Sequence, residues 1–220
     1  MNGRARGRYL GLIPVGLLAV SGLLGCGPAD ERQFKRALER VKDGEADTVD
    51  ARPFPKVTDK ALDGLEEAVG LRALILDGSQ VTDKGLGSLP LLPGLTVISV
   101  ANTRVTDVGL EPLSGARGLE VLRLDRTRVK DPGLRLVAAL PNLKELSLWK
   151  CPITDRGLGH LARLKKLERL SLDETPVTNA GLRHLSGLTR LRELSLWKTK
   201  VTDAGVRGLK RELPGLRINR

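Results

Sequence analysis

Outside its carboxylates, the 220-residue chain has few groups able to do chemistry: His160, His184, Cys26 and Cys151. A nucleophilic thiol needs a base and surroundings that lower its pKa. Neither histidine is near Cys151 in sequence, so Cys151 reads as a buried structural thiol. The histidines fall one behind the other at a 24-residue interval, beside Leu161 and Leu185, with no obvious carboxylate as third ligand. They read as a pair on one helix face. No glycine-rich phosphate loop, triad spacing or paired-cysteine motif is found. The expectation is a protein that is not an enzyme and uses no metal or cofactor.

The carboxylates are more orderly. Asp59, Asp83, Asp107, Asp131, Asp155 and Asp203 follow one spacing, with Asn179 in phase. Such a row could ligate metals or supply acids, but Asp and Asn also cap helices, their side-chain oxygen accepting a free N–H. Asn179 keeps that oxygen without the charge, and Pro132 follows Asp131 where a first helical residue belongs. The row is therefore expected to cap helices.

These residues belong to a motif, mostly Val-Thr-Asp-x-Gly-Leu, starting at Val57, Val81, Val105, Val129, Ile153, Val177 and Val201. In phase runs Leu-x-x-Leu-x-Leu, opened by Leu71, Leu95, Leu119, Leu143, Leu167 and Leu191. A fixed period in this range means stacked supersecondary units. Leu191, Leu194 and Leu196 alternate as a short strand, with Glu193 and Ser195 on its other face. Leu182, Leu185 and Leu188 form the buried stripe of a short helix. The glycines that begin at Gly85 predict close approach between neighbouring turns; Ala61 in their place marks an end repeat.

Together these motifs resemble the leucine-rich repeats of a large family of bacterial proteins, many exported, and the ribonuclease-inhibitor-like and F-box-associated repeats of eukaryotes. The resemblance covers residues 57–218. It implies an α/β fold: a right-handed leucine-rich repeat solenoid, with a parallel β-sheet on the concave face and short helices on the convex face. It brings no catalytic residues. It also implies that the column Ser79, Thr103, Thr127, Cys151, Thr175, Thr199 bonds to backbone around the bend after each strand.

The ends differ. Residues 29–43 read as an amphipathic helix with Phe34, Ala37, Leu38 and Val41 on one side, and 46–56 as a degenerate strand broken by Pro53 and Pro55. One extra residue falls between Leu209 and Leu216. Arg4, Arg6 and Arg8 precede an apolar stretch from Leu10 to Leu24, the layout of a secretory signal. Its close, Leu-x-Gly-Cys, resembles the bacterial lipobox, which implies acylation of Cys26 and a membrane anchor through that lipid. The expected organisation is a signal at 1–25, a tether and helical cap at 26–56, and repeats at 57–220. The protein is placed in the bacterial cell envelope, facing outside the cytoplasm. Removing the three leader arginines lowers the formal charge from +11 to +8. The cations are interspersed with acids and lack aromatic stacking platforms, so nucleic acid is not the expected partner.

Stacked strands lie about 4.8 Å apart, so outward positions form columns. One column runs Asp77, Ala101, Asp125, Trp149, Asp173, Trp197 and holds both tryptophans of the chain. Lys150, Glu174 and Lys198 adjoin it; Glu145, Arg169 and Glu193 line a neighbouring column. Indoles flanked by charge commonly carry binding energy. The expected partner-binding residues are Trp149, Trp197, Asp173, Lys150, Lys198, Arg169 and Glu193, and the expected partner a protein or peptide met by a monomer. Capping a secreted hydrolase, or a structural role without a specific ligand, are the alternatives.

Overall fold

The computed structural model describes residues 28–87, 89 and 92–220. The leader and Cys26 lie outside these residues. The chain enters through α1 (Pro28–Lys42), then builds eight three-residue strands: β1 (Thr48–Asp50), β2 (Ala73–Ile75), β3 (Val97–Ser99), β4 (Val121–Arg123), β5 (Glu145–Ser147), β6 (Arg169–Ser171), β7 (Glu193–Ser195) and β8 (Arg217–Asn219). They form one parallel sheet in sequence order. From β2 onward each strand pairs one period along, as in Ala73 with Val97, Val121 with Glu145 and Glu193 with Arg217. The central residues Leu74, Ile98, Leu122, Leu146, Leu170 and Leu194 are fully buried and stack through the core. Each turn buries its apolar side only against its neighbours, so stability is close to a sum of repeat and interface contributions.

The convex side changes character along the chain. Its early turns are 3₁₀ segments, such as Asp83–Leu86, Val108–Leu110 and Pro112–Gly115. Later turns hold α2 (Asp131–Val137), α3 (Asp155–Leu161), α4 (Asn179–Leu182) and α5 (Asp203–Glu212). Proline explains part of this. Pro112 has no N–H to continue the preceding segment, whereas Pro132 occupies the start of α2, where that N–H is not needed.

The N-terminal end is covered by a helix, and the far end leaves β8 as a mostly exposed edge strand. α1 lays Phe34, Leu38 and Val41 on the first turn, all essentially buried. At the far end β8 pairs with β7 at the same 24-residue offset as the other strands, Glu193 with Arg217, so the extra residue expected between Leu209 and Leu216 does not shift the register of the sheet. Among the described residues no helix is long and apolar enough to cross a membrane.

Candidate binding face

The aspartate row corrects the capping expectation. The N-cap of these helical turns is the threonine: the Thr154 hydroxyl accepts from the Arg156 N–H at 3.3 Å, and the Thr178 hydroxyl from the Ala180 N–H at 3.2 Å. The aspartate sits one residue inside and reaches the next repeat instead. Asp59 accepts from the Thr82 N–H at 2.7 Å and the Thr82 hydroxyl at 2.6 Å; Asp83, Asp131 and Asp155 do the same to Thr106, Thr154 and Thr178. Asn179 keeps the pattern by accepting from the Thr202 N–H and donating its amide to the Thr202 hydroxyl. Lys130 has no hydroxyl, and Asp107 takes only its N–H.

The glycine row exists to admit these carboxylates. A Cβ on Gly85 would stand 2.7 Å from Asp59 Oδ1, and one on Gly109 2.5 Å from Asp83 Oδ1. Gly133, Gly157, Gly181 and Gly205 face Asp107, Asp131, Asp155 and Asn179 more tightly still. Ala61 has no aspartate before it and can carry a methyl; there Glu31 of α1 accepts from the Thr58 hydroxyl at 2.6 Å.

On the sheet side, the hydroxyls of Ser79, Thr103, Thr127, Thr175 and Thr199 donate to the carbonyl three residues back. Cys151 differs: its Sγ lies 3.0 Å from the Leu124 carbonyl of the previous repeat. Burial pushes this thiol up to about 11, in keeping with a structural role. His160 and His184 lie on successive helical turns.

The concave surface divides into two parts. Over β2–β4 it presents Ala73, Val97 and Val121 in one register column. Over β5–β8 that column becomes Glu145, Arg169, Glu193 and Arg217. Glu145 is 1% exposed and held from both sides, by Arg123 at 2.8 Å and Arg169 at 2.6 Å. A carboxylate this enclosed needs such partners. Arg169 therefore faces solvent with part of its guanidinium already committed, and Glu193 lies half-buried between Arg169 and Arg217 in the register.

The tryptophan column lines the rim where strands turn outward. Asp77, Asp125 and Asp173 each brace the following repeat. Asp173 accepts from the Trp197 N–H at 2.7 Å and the Ser195 hydroxyl at 2.8 Å, and Asp125 accepts from the Trp149 N–H at 2.9 Å and the Ser147 hydroxyl. Asp173 is thus tied into the fold instead of standing free between the indoles. Burial is the main influence on Asp125 and raises its pKa against the hydrogen bonds it accepts.

Trp149 is half-buried, with Lys150 at 5.0 Å and Arg126 at 5.6 Å from its ring centroid, and its indole N–H donates to Glu174 at 3.1 Å. Desolvation works to raise the Glu174 carboxyl, but that indole bond and the Lys150 and Lys198 charges outweigh it and leave it lowered. Trp197 is 40% exposed, with Lys198 at 4.0 Å over its ring. Of the residues singled out in the sequence, the fold brings Trp149, Lys150, Trp197 and Lys198 to one rim. Arg169 and Glu193 stand on the open sheet beside it.

One feature of this rim is hidden in the sequence. Gly78, Asn102, Arg126, Lys150, Glu174 and Lys198 form a column in the left-handed region, with φ between 53° and 73°. Gly and Asn accept that conformation readily; for the others it costs on the order of 1 kcal/mol or more. The first two residues carry the recognisable signal, which the long charged side chains then obscure. Those side chains are the ones that reach the indoles.

A family model described as a leucine-rich repeat matches residues 139–162, one period of the chain. The fold is that of a leucine-rich repeat solenoid. Solved structures agree. Internalin C2 of Listeria monocytogenes superposes with a TM-score of 0.66 at 22% identity, covering 84% of this chain and 80% of that one. A leucine-rich repeat protein of Leptospira interrogans gives 0.57 at 20% identity, over 71% of this chain and 38% of its own. The internalin InlF of Listeria monocytogenes gives 0.51 at 20%, over 70% and 49%. At these identities the likeness is one of fold. No curated protein matches the sequence significantly.

Proposed function

We propose that this solenoid is a membrane-tethered recognition module of the bacterial envelope: acylated at Cys26, facing outside the cytoplasm, and binding a protein or peptide as a monomer on its concave sheet. The observation that carries the reading is the rim of β5–β7. There a 40% exposed Trp197, with Lys198 over its ring, borders the same sheet face that carries the Arg123–Glu145–Arg169 cluster. Solenoids of this kind use their concave surface for binding, and exposed tryptophans beside arginines are common hot spots. Trp197 and Lys198 offer contact area, Arg169 and Glu193 offer charge of both signs, and Trp149, Lys150 and Asp173 hold the rim in shape.

The test is crosslinking in native membranes with wild type and a Trp149→Ala/Trp197→Ala variant whose circular dichroism matches wild type. A crosslinked band lost only from the variant supports concave-face recognition. Identical bands favour a second reading, a structural envelope protein, which the internal engagement of Trp149 and Asp173 also fits. The mass of the Cys26 peptide tests acylation separately.

A further inference from the structure

The corners that follow the strands line up as one long edge of the solenoid. Within each corner, side chains alternate: Thr127 and Val129 are buried, while Arg126, Arg128 and Lys130 are exposed. Repeated along the stack, the alternation gathers Lys56, Arg104, Arg126, Arg128, Lys198 and Lys200 on this edge, all exposed. Among the described residues, none of these six has a carboxylate within ion-pair distance. Of the acids at these corners, Glu174 is taken up by Trp149 and Lys150, and Asp77, Asp125 and Asp173 by serine hydroxyls and backbone N–H groups of the following repeat. The opposite edge is mixed, and there Lys144 is answered by Glu120 at 2.7 Å.

The chain also enters the domain at this edge. Asp30 in the first turn of α1 accepts from the Lys56 N–H at 3.2 Å, and Glu31 from the Thr58 hydroxyl at 2.6 Å. Cys26 precedes Asp30 by four residues, which bounds its distance from that turn at about 14 Å. Any lipid on Cys26 would therefore enter a bilayer beside the basic row.

We propose that this edge is a docking surface for an anionic lipid bilayer, on which the solenoid stands with its sheet upright and its concave face open to the side. The orientation rests on acylation at Cys26; the affinity of the edge for anionic lipid does not. From Lys56 to Lys200 the row spans six strand spacings, about 29 Å. A line of that length matches a plane of headgroups better than the compact acidic patch of a protein. Trp197 sits on the border of the edge, where an indole would lie at headgroup depth. Each Lys or Arg near an anionic leaflet is worth about a five-fold gain in partitioning, and salt weakens the attraction.

The test uses the full chain with Cys26→Ser, floated with phosphatidylcholine vesicles and with vesicles in which part of the lipid is phosphatidylglycerol. The readout is the ratio of anionic to neutral binding, which cancels insertion of the apolar leader. That ratio is expected to exceed one, to fall with added salt, and to come with a blue shift in tryptophan emission. Arg126→Glu/Arg128→Glu/Lys200→Glu should lower it by about 100-fold or more. An equal reversal on the convex turns, Arg156→Glu/Arg163→Glu/Arg207→Glu, should lower it by only a few-fold. Dichroism keeps misfolding apart from lost charge. Equal losses in both triples would overturn the proposal, as would no preference for anionic vesicles or binding to polyglutamate alone. If the wild-type Cys26 peptide carries no acyl mass, the tether and the upright orientation fall together, while the vesicle ratio still decides the edge.

Discussion

Gly157→Ala is the sharpest test of how the repeats are joined. Alanine is ordinarily the better helix residue by about 1 kcal/mol, so on an isolated helix the change should stabilise. Here the new methyl would be driven into Asp131 Oδ1, with Leu134 Cδ1 3.1 Å away. Asp131 cannot withdraw without giving up the Thr154 N–H at 2.8 Å and the Thr154 hydroxyl at 2.5 Å. Bonds to a charged acceptor are worth about 1.5–3 kcal/mol each. Losing most of two and recovering the helix preference leaves a net destabilisation of about 2–4 kcal/mol. Asp131→Ala alone should cost about 2–3 kcal/mol, since it orphans the same donors. In that background the nearest atom left is the flexible Leu134 methyl at 3.1 Å, and Gly157→Ala should be neutral or stabilising. The cycle, measured by urea unfolding with the slope checked for constancy, should therefore give a coupling of about 2 kcal/mol or more. If Gly157→Ala costs the same with and without Asp131, the carboxylate is not what excludes a side chain, and the account of this row fails.

Other outcomes follow from the same geometry. Cys151, buried and pushed up to about 11, should resist alkylation at pH 8 in the folded protein and react quickly in urea; equal rates would show that the thiol is accessible. Asp125 has a folded pKa raised above its unfolded one, so its favourable contribution is complete below the unfolded value and is lost as pH rises through the folded value. Asp125→Asn keeps an oxygen for Trp149 and Ser147 and should melt at or above wild type at pH 7, with the gain shrinking toward pH 4. A loss of more than about 2 kcal/mol would mean that the charge itself secures the corner. Arg126→Asn, relieving a left-handed position, should be no less stable than wild type despite losing the contact to Trp149, whereas Arg126→Val should cost about 2 kcal/mol. Equal stabilities would show that the backbone there is not constrained.

The period and the strand residues were legible in the sequence because burial in a stack repeats with the chain. Leu74 and Leu194 stand in the same column for the same reason. The hydroxyl column that bonds backbone around each bend was legible too, but what the aspartate row bonds to was not. Asp131 looks like a helix cap because caps are local and can be read from neighbours in sequence, whereas its partner lies one repeat away. The rim was half legible. Its tryptophans stand out, but the bonds that commit Asp173 and Trp149 depend on corner geometry. That geometry is set by a backbone conformation that Arg126, Lys150 and Lys198 conceal.

The corner aspartates have a consequence for how such a chain can change length. Asp77, Asp125 and Asp173 brace Ala101, Trp149 and Trp197, so bracing and braced turns alternate. The corner bracing therefore repeats every two turns, while the rest of the motif repeats every one. Excising a braced turn such as that of Ala101 would set the corner carboxylates Asp77 and Asp125 on adjacent strands about 4.8 Å apart, where like charges repel. Excising two would restore the alternation and leave a shorter molecule with every corner still matched.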